Sequence, residues 1–379
     1  MSKLLLRIKR RYQKHLERWR QHALQKPEIH DIADVLRCET RPDVPLRFGV
    51  IGAGKVFDRW IKDMLRIPAE CQISVIGIFD GSEALMRAKA DAYQIPVCYD
   101  SYEALLSDPA IDAVYVATPN YLHAPHAIQA LNAGKHVLCE KPIALNCDEL
   151  DRMYRAAREH DVFLMEGMWM RTLPLMRQLR QLLAEGVIGE VRYLQADCCN
   201  HNDPASYPAM FSREKGGGAL MDVGCYALHF AHMVFAGDPS LQSAAKLTDS
   251  GVDLTSAASL CFPNGIAVLT QSLGCLGGAQ ANLHGTTGWI HIPRYLDSPS
   301  EFTIYRADGS RAVYRYSLPR DQRPIGYAYE ILHFADTVRG MRRECGLIPS
   351  ETTKLVAKEM EQIRISCGVS FAGEQYDAE

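Results

Sequence analysis

The sequence predicts an α/β protein in which a doubly wound parallel sheet is followed by an α+β domain with a mainly antiparallel sheet. Short apolar runs alternate with helical segments of about a dozen residues over 46–168, as in consecutive strand–helix–strand units. A glycine turn joins the first run to the first helical segment. Beyond residue 256, short strand-like runs are separated by the hairpin signals Asn264-Gly265 and Asp308-Gly309.

The chain length and the order of these patterns divide the sequence into three parts. At 379 residues the chain is too long for one ordinary hydrophobic core. We assign residues 1–45 to a basic extension and linker, 46–168 to the parallel-sheet domain and 169–379 to the α+β domain.

In the first domain, each apolar run is expected to be a buried strand and each periodic segment a covering helix. The predicted strands are 46–52, 73–80, 113–118, His136–Glu140 and 162–167. The predicted helices are 55–66, 82–93, 123–133 and 147–160, the last opened by Asn146 as an N-cap.

In the second domain, strands become shorter and helices fewer. The predicted helices are 175–184, 219–235, Tyr327–Arg339 and 352–366, and the first predicted strand is 191–197. Because an antiparallel sheet has a face that helices do not always cover, we expect a homo-oligomer, a dimer or a tetramer.

Composition excludes several classes of protein. The hydrophobic fraction of 47% and the charged fraction of 23% are typical of a globular chain. No apolar run approaches the roughly 20 residues that a membrane span needs. The net charge of −3 gives no reason to expect a nucleic-acid partner.

Basic residues are concentrated at the N-terminus, where residues 1–26 hold nine Lys/Arg and one acid. An apolar stripe at helical spacing runs through this segment: Leu5, Ile8, Tyr12, Leu16, Trp19 and Ala23. Such a helix could dock on its own protein or a sister subunit, attach to an anionic membrane or acidic partner, or act as a mitochondrial presequence.

The twelve cysteines form no C-x-x-C pair. Cys139 and Cys261 stand inside apolar runs, where cysteine behaves as a small hydrophobe. We therefore predict buried thiols, no metal site and a cytoplasmic protein.

The glycine turn predicts a dinucleotide site in a Rossmann-type domain. Gly52 and Gly54 follow the first strand, and Lys55 and Val56 open the next helix, so backbone N–H groups and the positive helix end could bind a pyrophosphate. Phe57 replaces the third glycine of the pattern, which affects packing more than phosphate contact. The alternative is an ordinary tight turn.

Asp80 ends the second strand, where an acid commonly binds the adenosine ribose. A carboxylate there accepts hydrogen bonds from both ribose hydroxyls and repels a 2′-phosphate, so we predict NAD and consider NADP less favoured. The alternative is that Asp80 caps the following helix.

Six segments of the sequence form a recognisable set: GVIGAGK, ATPNYLH, GKHVLCEKP, EGMWMR, GGGALMDVGCY and GYAYEILHF. Together they resemble the Gfo/Idh/MocA oxidoreductases, most closely the dihydrodiol and sugar dehydrogenase subgroup. The similarity runs from about Arg47 to about Gly368, nearly the whole chain apart from the basic leader.

The resemblance implies roles for several residues. Glu140 and Lys141, in the E-K-P motif, are expected to bind the cofactor. Lys141 is expected to reach the nicotinamide and the reacting hydroxyl, where an ammonium stabilises oxygen charge. The family's loop near the nicotinamide corresponds to Thr118, Pro119, Asn120 and His123. Trp169 and Arg171 correspond to the wall of the substrate pocket.

Asp222 and Tyr226 are spaced i, i+4 and share a helix face. Many family members have histidine at the position of Tyr226 and an acid at that of His229. We predict Tyr226 as the acid/base, provided that the Lys141 ammonium lowers its pKa of about 10, and Asp222 as the residue that orients substrate or lysine. His229 is the alternative proton carrier; core packing is the alternative for Tyr226 and His229.

These expectations favour reversible oxidation of a secondary alcohol in a sugar, cyclitol or related diol. Two alternatives remain: a redox-assisted cleavage without net NADH, and a non-catalytic nucleotide-binding regulator. Substrate specificity is expected to lie in loops such as 200–213.

Overall fold

The computed structural model describes residues 10, 13–14, 27–33, 35–371 and 374. Its strands are β1 Glu28–Ile32, β2 Leu46–Ile51, β3 Ile73–Phe79, β4 Val97–Cys98, β5 Ala113–Val116, β6 His136–Glu140, β7 Leu164–Gly167, β8 Val191–Cys199, β9 Ser240–Leu247, β10 Asp253–Phe262, β11 Gly265–Ser272, β12 Ala281–Gly285, β13 Gly288–Ile292, β14 Glu301–Arg306 and β15 Arg311–Tyr316. Its α-helices are α1 Lys55–Met64, α2 Glu83–Tyr93, α3 Tyr102–Ser107, α4 His123–Asn132, α5 Cys147–Glu159, α6 Pro174–Ala184, α7 Cys225–Val234, α8 Tyr327–Arg339 and α9 Ser350–Ser366.

The first sheet has six parallel strands in the order β4-β3-β2-β5-β6-β7. From β2 the chain adds β3 and β4 on one side, and then β5, β6 and β7 on the other side. The position between β2 and β5 is therefore a topological switch point, and ligands bind at such points beyond the carboxyl ends of the strands. The predicted parallel sheet is therefore confirmed. β4 and α3 were not predicted, because a two-residue strand and a six-residue helix carry little periodic signal.

The second sheet has nine strands in the order β1-β15-β14-β13-β12-β8-β11-β10-β9. Only the pairs β1–β15 and β8–β11 are parallel, so the prediction of a mainly antiparallel sheet is confirmed. Both predicted hairpins are present: Asn264-Gly265 joins β10 to β11, and Asp308-Gly309 joins β14 to β15.

Part of the segment that we assigned to the linker belongs to this second sheet. β1 pairs in parallel with β15, from Glu28 opposite Ala312 to Ile32 opposite Tyr316. Its burial pattern shows no fully buried position, as expected of an edge strand, so its apolar pattern is weak. The leader helix predicted within residues 1–26 lies almost wholly outside the described residues and stays a prediction.

The outer face of the second sheet carries a row of stacked rings. Trp289 stacks on Tyr305 at a centroid distance of 4.0 Å and on His284 at 6.2 Å, and His284 stacks on Tyr193 at 5.4 Å. Trp289 and Tyr193 are 37% and 36% exposed.

The segment before α8 in the second domain forms hydrogen bonds with α1 of the first domain. The Asp63 carboxylate of α1 accepts hydrogen bonds from the backbone N–H groups of Ile325 and Gly326 at 3.0 and 2.8 Å, just before α8 begins. These contacts help to fix the cleft between the two sheets. Within the described residues, no helix has the length and apolar character of a membrane span.

Candidate functional site

The glycine turn has the shape that a bound pyrophosphate requires. Gly52 has φ +99°, and a Cβ there would lie 2.5 Å from the Ala117 backbone oxygen, so only glycine lets β2 and β5 approach so closely. A Cβ at Gly54 would meet nothing within 4 Å, so the space beside the turn is open. Gly54 is the N-cap of α1 and has no side chain that could cap the helix. The first N–H groups of α1, including those of Lys55 and Val56, therefore have no acceptor within the helix. These residues fit a dinucleotide phosphate.

Asp80 lies beside this turn. One carboxylate oxygen accepts from Ala53 N at 2.7 Å, and the other accepts from Ser82 N at 2.8 Å. Ser82, rather than Asp80, is the N-cap of α2, since its hydroxyl accepts from Leu85 N at 3.4 Å. The capping role that we considered for Asp80 therefore belongs to Ser82.

The loop after β5 connects the two domains. Asn120 Nδ2 donates to the Gly216 backbone oxygen at 2.8 Å, and Pro119 begins the short 3-10 turn that carries Asn120. His123 is buried, with both ring nitrogens 2.8 Å from backbone oxygens, those of Pro142 and Thr118. Burial lowers the pKa of His123 to about 4. His123 therefore connects the backbone of this loop to the backbone after β6. This position does not support the prediction that His123 contacts the cofactor.

Lys141 follows β6 and reaches across to the second domain. Its Nζ donates to the Asp222 backbone oxygen at 2.7 Å and to the Asp222 carboxylate at 3.3 Å. Burial alone would lower the pKa of Lys141, but the negative charge of Asp222, with smaller contributions from Cys225 and Glu140, raises it above its ordinary value. The amine is therefore a persistent cation.

A π-helical turn, Leu220–Gly224, presents Asp222 to this amine. We predicted a regular helix over 219–235, whereas the α-helix begins only at Cys225. Wider turns of this kind are frequent at functional sites. The Asp253 carboxylate fixes the start of the turn by accepting from Leu220 N at 2.9 Å.

The three glycines before this turn serve packing within the chain. A Cβ at Gly217 would lie 2.5 Å from the Met210 backbone oxygen, and one at Gly218 would lie 2.2 Å from an Asp253 carboxylate oxygen. The atoms that these glycines accommodate are therefore the chain's own.

Tyr226 lies beside Lys141, whose amine is 5.1 Å from the centroid of the tyrosine ring. Its hydroxyl oxygen accepts from Trp169 Nε1 at 2.8 Å, and no acceptor for its own proton is found among the described residues. Burial, followed by the negative charge of Asp297, raises the pKa of Tyr226 well above its ordinary value. The pKa of Tyr226 is therefore raised, and our expectation of a lowered pKa is wrong.

Aromatic rings form one wall of the site. Trp169 stacks on Tyr327 at 5.4 Å and meets Tyr226 edge to face at 5.9 Å. A Cβ at Gly326 would lie 2.1 Å from the Trp169 ring, so the glycine before α8 allows this packing. Trp169 therefore packs between Tyr226 and Tyr327, and its role as a wall of the substrate pocket stays a prediction.

Arg171 and His229 lie in the protein core. Arg171 is 2% exposed and donates to the backbone oxygens of Leu347 at 2.7 Å and His229 at 3.0 Å. The His229 side chain is fully buried, with Nε2 3.0 Å from Glu166 Oε2, and burial lowers its pKa. The predictions that Arg171 binds substrate and that His229 carries a proton disagree with these positions.

Glu140 faces inward from β6. Tyr115 donates its hydroxyl to Glu140 Oε1 at 2.6 Å, and burial raises the pKa of Glu140 to about 7. We predicted Glu140 as a cofactor ligand. Its carboxylate instead lies behind Lys141, where it affects the site through charge.

Sequence reasoning did not identify Asp297 or Tyr207. Asp297 lies in the loop between β13 and β14, and burial raises its pKa while Arg320 and Lys141 lower it. Tyr207 lies in the loop after β8, and its ring packs against the amine of Lys55 at 4.2 Å. No motif or spacing in the sequence marks either residue.

Within the part of the chain that is described, no cluster of three or more His, Cys, Asp or Glu side chains has the arrangement of a metal site.

Comparison with known proteins places this geometry in a family. Residues 46–168 match the oxidoreductase family with an NAD-binding Rossmann fold, and residues 176–291 match the GFO/IDH/MocA C-terminal domain. A trans-1,2-dihydrobenzene-1,2-diol dehydrogenase of Xenopus tropicalis is 31% identical over 86% of this chain and 99% of its own. The human enzyme of that name is 30% identical over 86% and 98%.

Solved structures of similar proteins have the same fold over most of this chain. A 3-ketoreductase from Actinomadura kijaniata in complex with NADP and TDP-benzene is 27% identical, with a TM-score of 0.76 over 86% of this chain and 98% of its own. A levoglucosan dehydrogenase with NADH and levoglucosan shares the fold at 21% identity, with a TM-score of 0.72 over 85% and 97%. These relatives support NAD(P) as the class of cofactor and do not favour NAD over NADP. The chain belongs to the Gfo/Idh/MocA family and is an NAD(P)-binding oxidoreductase.

Proposed function

We propose that this enzyme interconverts a secondary alcohol and its ketone in a sugar, a cyclitol or a related diol. The observation that carries the proposal is the cluster of Lys141, Asp222 and Tyr226. The lysine amine lies 3.3 Å from the Asp222 carboxylate and 5.1 Å from the Tyr226 ring centroid. This cluster lies beyond the carboxyl end of β6, at the edge where sheets of this kind bind ligands.

The protein residues have complementary roles in this reaction. The nicotinamide, when bound, supplies or accepts the hydride, and Gly52, Gly54 and the first N–H groups of α1 would hold its pyrophosphate. Lys141 stabilises negative charge on the reacting oxygen because it stays cationic. Asp222 holds the lysine amine in position.

Tyr226 is the proton donor in this proposal. Its oxygen already accepts from Trp169, so its own proton is free to reach a ligand oxygen. Because burial raises its pKa, the phenol stays protonated at neutral pH and suits donation to a ketone oxygen. Proton acceptance from an alcohol requires that the Tyr226 hydroxyl first loses this proton.

The test is turnover on a panel of polyhydroxylated ring ketones and alcohols, followed by absorbance of the reduced cofactor in both directions. We expect reduction of at least one ring ketone. Cleaved product without net change in reduced cofactor would favour redox-assisted cleavage instead. Cofactor binding without turnover on any member would favour the regulatory alternative.

We also propose NAD rather than NADP as the preferred cofactor. Asp80 and Glu83 place negative charge near the expected adenosine ribose, and the nearby Arg87 is already paired with Glu83 at 2.8 Å. A 2′-phosphate would meet these carboxylates. We expect Asp80→Asn to shift the KM ratio toward NADPH by roughly tenfold, the effect of about 1.4 kcal/mol. A wild-type protein that prefers NADPH would contradict this choice.

We propose a homo-oligomer that buries the outer face of the second sheet. The stacked rings of Tyr193, His284, Trp289 and Tyr305 give this face a contiguous apolar surface. Such surfaces commonly mark protein contacts. We expect Trp289→Glu to dissociate the oligomer in light scattering, whereas Leu276→Glu, at a 76% exposed loop position, should leave it intact.

A further inference from the structure

A loop of the second domain, residues 200–217, reaches the phosphate-binding turn of the first domain. Lys55, the first residue of α1, donates from Nζ to the Ser206 backbone oxygen at 3.3 Å. The same amine lies 4.2 Å from the centroid of the Tyr207 ring. Near the other end of the loop, Asn120 donates to the Gly216 backbone oxygen at 2.8 Å. The loop therefore spans the cleft next to the expected pyrophosphate position.

Hydrogen bonds within the loop give it a defined shape before any ligand binds. The Asp203 carboxylate accepts from Ser206 Oγ at 2.7 Å, and its backbone oxygen accepts from Tyr207 N at 3.0 Å. The loop is anchored on the sheet where Asn202 N donates to the Leu273 backbone oxygen at 2.9 Å. Tyr207 is therefore held on an ordered turn, which reduces the entropy lost on binding.

The Lys55 amine is available to an anion. Its partners are a carbonyl oxygen and an aromatic ring, and no described carboxylate forms an ion pair with it. The space at Gly54 is open, and the first N–H groups of α1 point there. The Tyr207 ring covers one side of the amine, and the exposed remainder of Lys55 is accessible to a phosphate oxygen.

We propose that Tyr207 is a cofactor-binding residue supplied by the second domain. Together with Lys55 it closes over the pyrophosphate and slows release of the dinucleotide. This inference rests on the proposed function for its cofactor, and it adds a retention step that the glycine turn alone does not provide.

The test is a double-mutant cycle on cofactor binding by the full chain. Fluorescence titration with NADH and NADPH gives Kd, and stopped-flow displacement gives the dissociation rate. We expect Tyr207→Ala to raise Kd about fivefold, mainly through faster dissociation, as for loss of one cation–π contact. Tyr207→Phe keeps the ring and should retain the wild-type Kd and dissociation rate. In a Lys55→Met background, Tyr207→Ala should add little, because the two side chains act as a pair.

Additive effects of Tyr207→Ala and Lys55→Met would overturn the proposal. Wild-type Kd and dissociation rate in Tyr207→Ala would also overturn it. If thermal unfolding shows that Tyr207→Ala does not fold, Tyr207→Leu, which keeps bulk but lacks the π face, takes its place with the same expected result. Failure of the wild-type protein to bind either cofactor would contradict the proposed function itself, so the two failures are distinguishable.

Discussion

Tyr226 and His229 lie one turn apart on the same helix, and both are buried, yet their surroundings differ. Tyr226 lies beside the lysine of the cleft and receives a hydrogen bond from Trp169. His229 faces Glu166, whose carboxylate also accepts from Thr353 at 3.1 Å. On the cleft side the phenol proton has no acceptor among the described residues, while on the core side the imidazole lies 3.0 Å from a carboxylate. The chemistry available to each residue therefore depends on the side chain that it contacts.

The largest effect is expected from the cation on the cleft side. Lys141→Met should lower kcat roughly 1,000-fold, because charge on the reacting oxygen loses its stabilising partner. Steady-state kinetics with a turned-over substrate measures this loss, and cofactor fluorescence checks that binding survives. A decrease of less than roughly tenfold would mean that another group supplies the charge.

Substituting Tyr226 and His229 separately tests the difference between the two residues. Tyr226→Phe should lower kcat roughly 100-fold and cost about 1 kcal/mol of stability, since one hydrogen bond is lost. His229→Leu should cost roughly 3 kcal/mol or more of stability, because the buried Glu166 carboxylate loses the imidazole beside it and keeps the Thr353 hydroxyl as its donor. Its folded fraction should keep a near-wild-type kcat. A His229→Leu protein with normal thermal stability and lost turnover would instead make His229 the proton carrier.

The first domain could be predicted from sequence because its strands are apolar runs bounded by glycine and by helix caps. β6 has the predicted bounds, and Asn146 caps α5 as expected, accepting from Glu149 N at 2.9 Å. β1 could not be predicted, because its pairing partner β15 lies at the opposite end of the chain and the edge strand carries few apolar residues.

The site could be predicted only as far as local motifs reach. Lys141 and Asp222 were identified by their motifs, and the structure brings them together. Arg171 and His229 were assigned to the pocket because a motif gives residue type and spacing but not the side on which a buried side chain finds its partner. Tyr207 and Asp297 depend on the paths of two loops, which no local pattern specifies.

The stability of the protein is expected to depend on pH through Glu140, the residue before Lys141. The pKa of Glu140 is raised to about 7 in the folded protein, against about 4.3 for a free glutamate. The folded state therefore binds this proton more tightly, and its contribution to stability is lost as the pH rises through about 7. Glu140→Gln removes the ionisation, so we expect its thermal stability relative to wild type to be higher at pH 8 than at pH 5, by up to about 3 kcal/mol.

Glu159→Gln, on the exposed end of α5, is the matched control and should show no such difference. A Glu140→Gln protein whose relative stability is the same at both pH values would contradict the raised pKa.

The smallest expected effect concerns Asp297. Its negative charge helps to raise the pKa of Tyr226, so Asp297→Asn should move that pKa downward. The alkaline limb of the pH–kcat profile should then shift to lower pH, by less than about one unit, because the charge of Asp297 is one of several causes of the raised pKa. An unchanged profile would separate Asp297 from the proton donor.

The central claim is that Lys141 and Tyr226 act on one oxygen of the substrate. The most direct measurement is a crystal structure with NAD(P)H and a substrate-like alcohol bound. We predict one ligand oxygen within roughly 2.6–3.2 Å of both the Lys141 amine and the Tyr226 hydroxyl. A ligand whose reacting oxygen contacts neither group, with the lysine still bound only to Asp222, would contradict the mechanism.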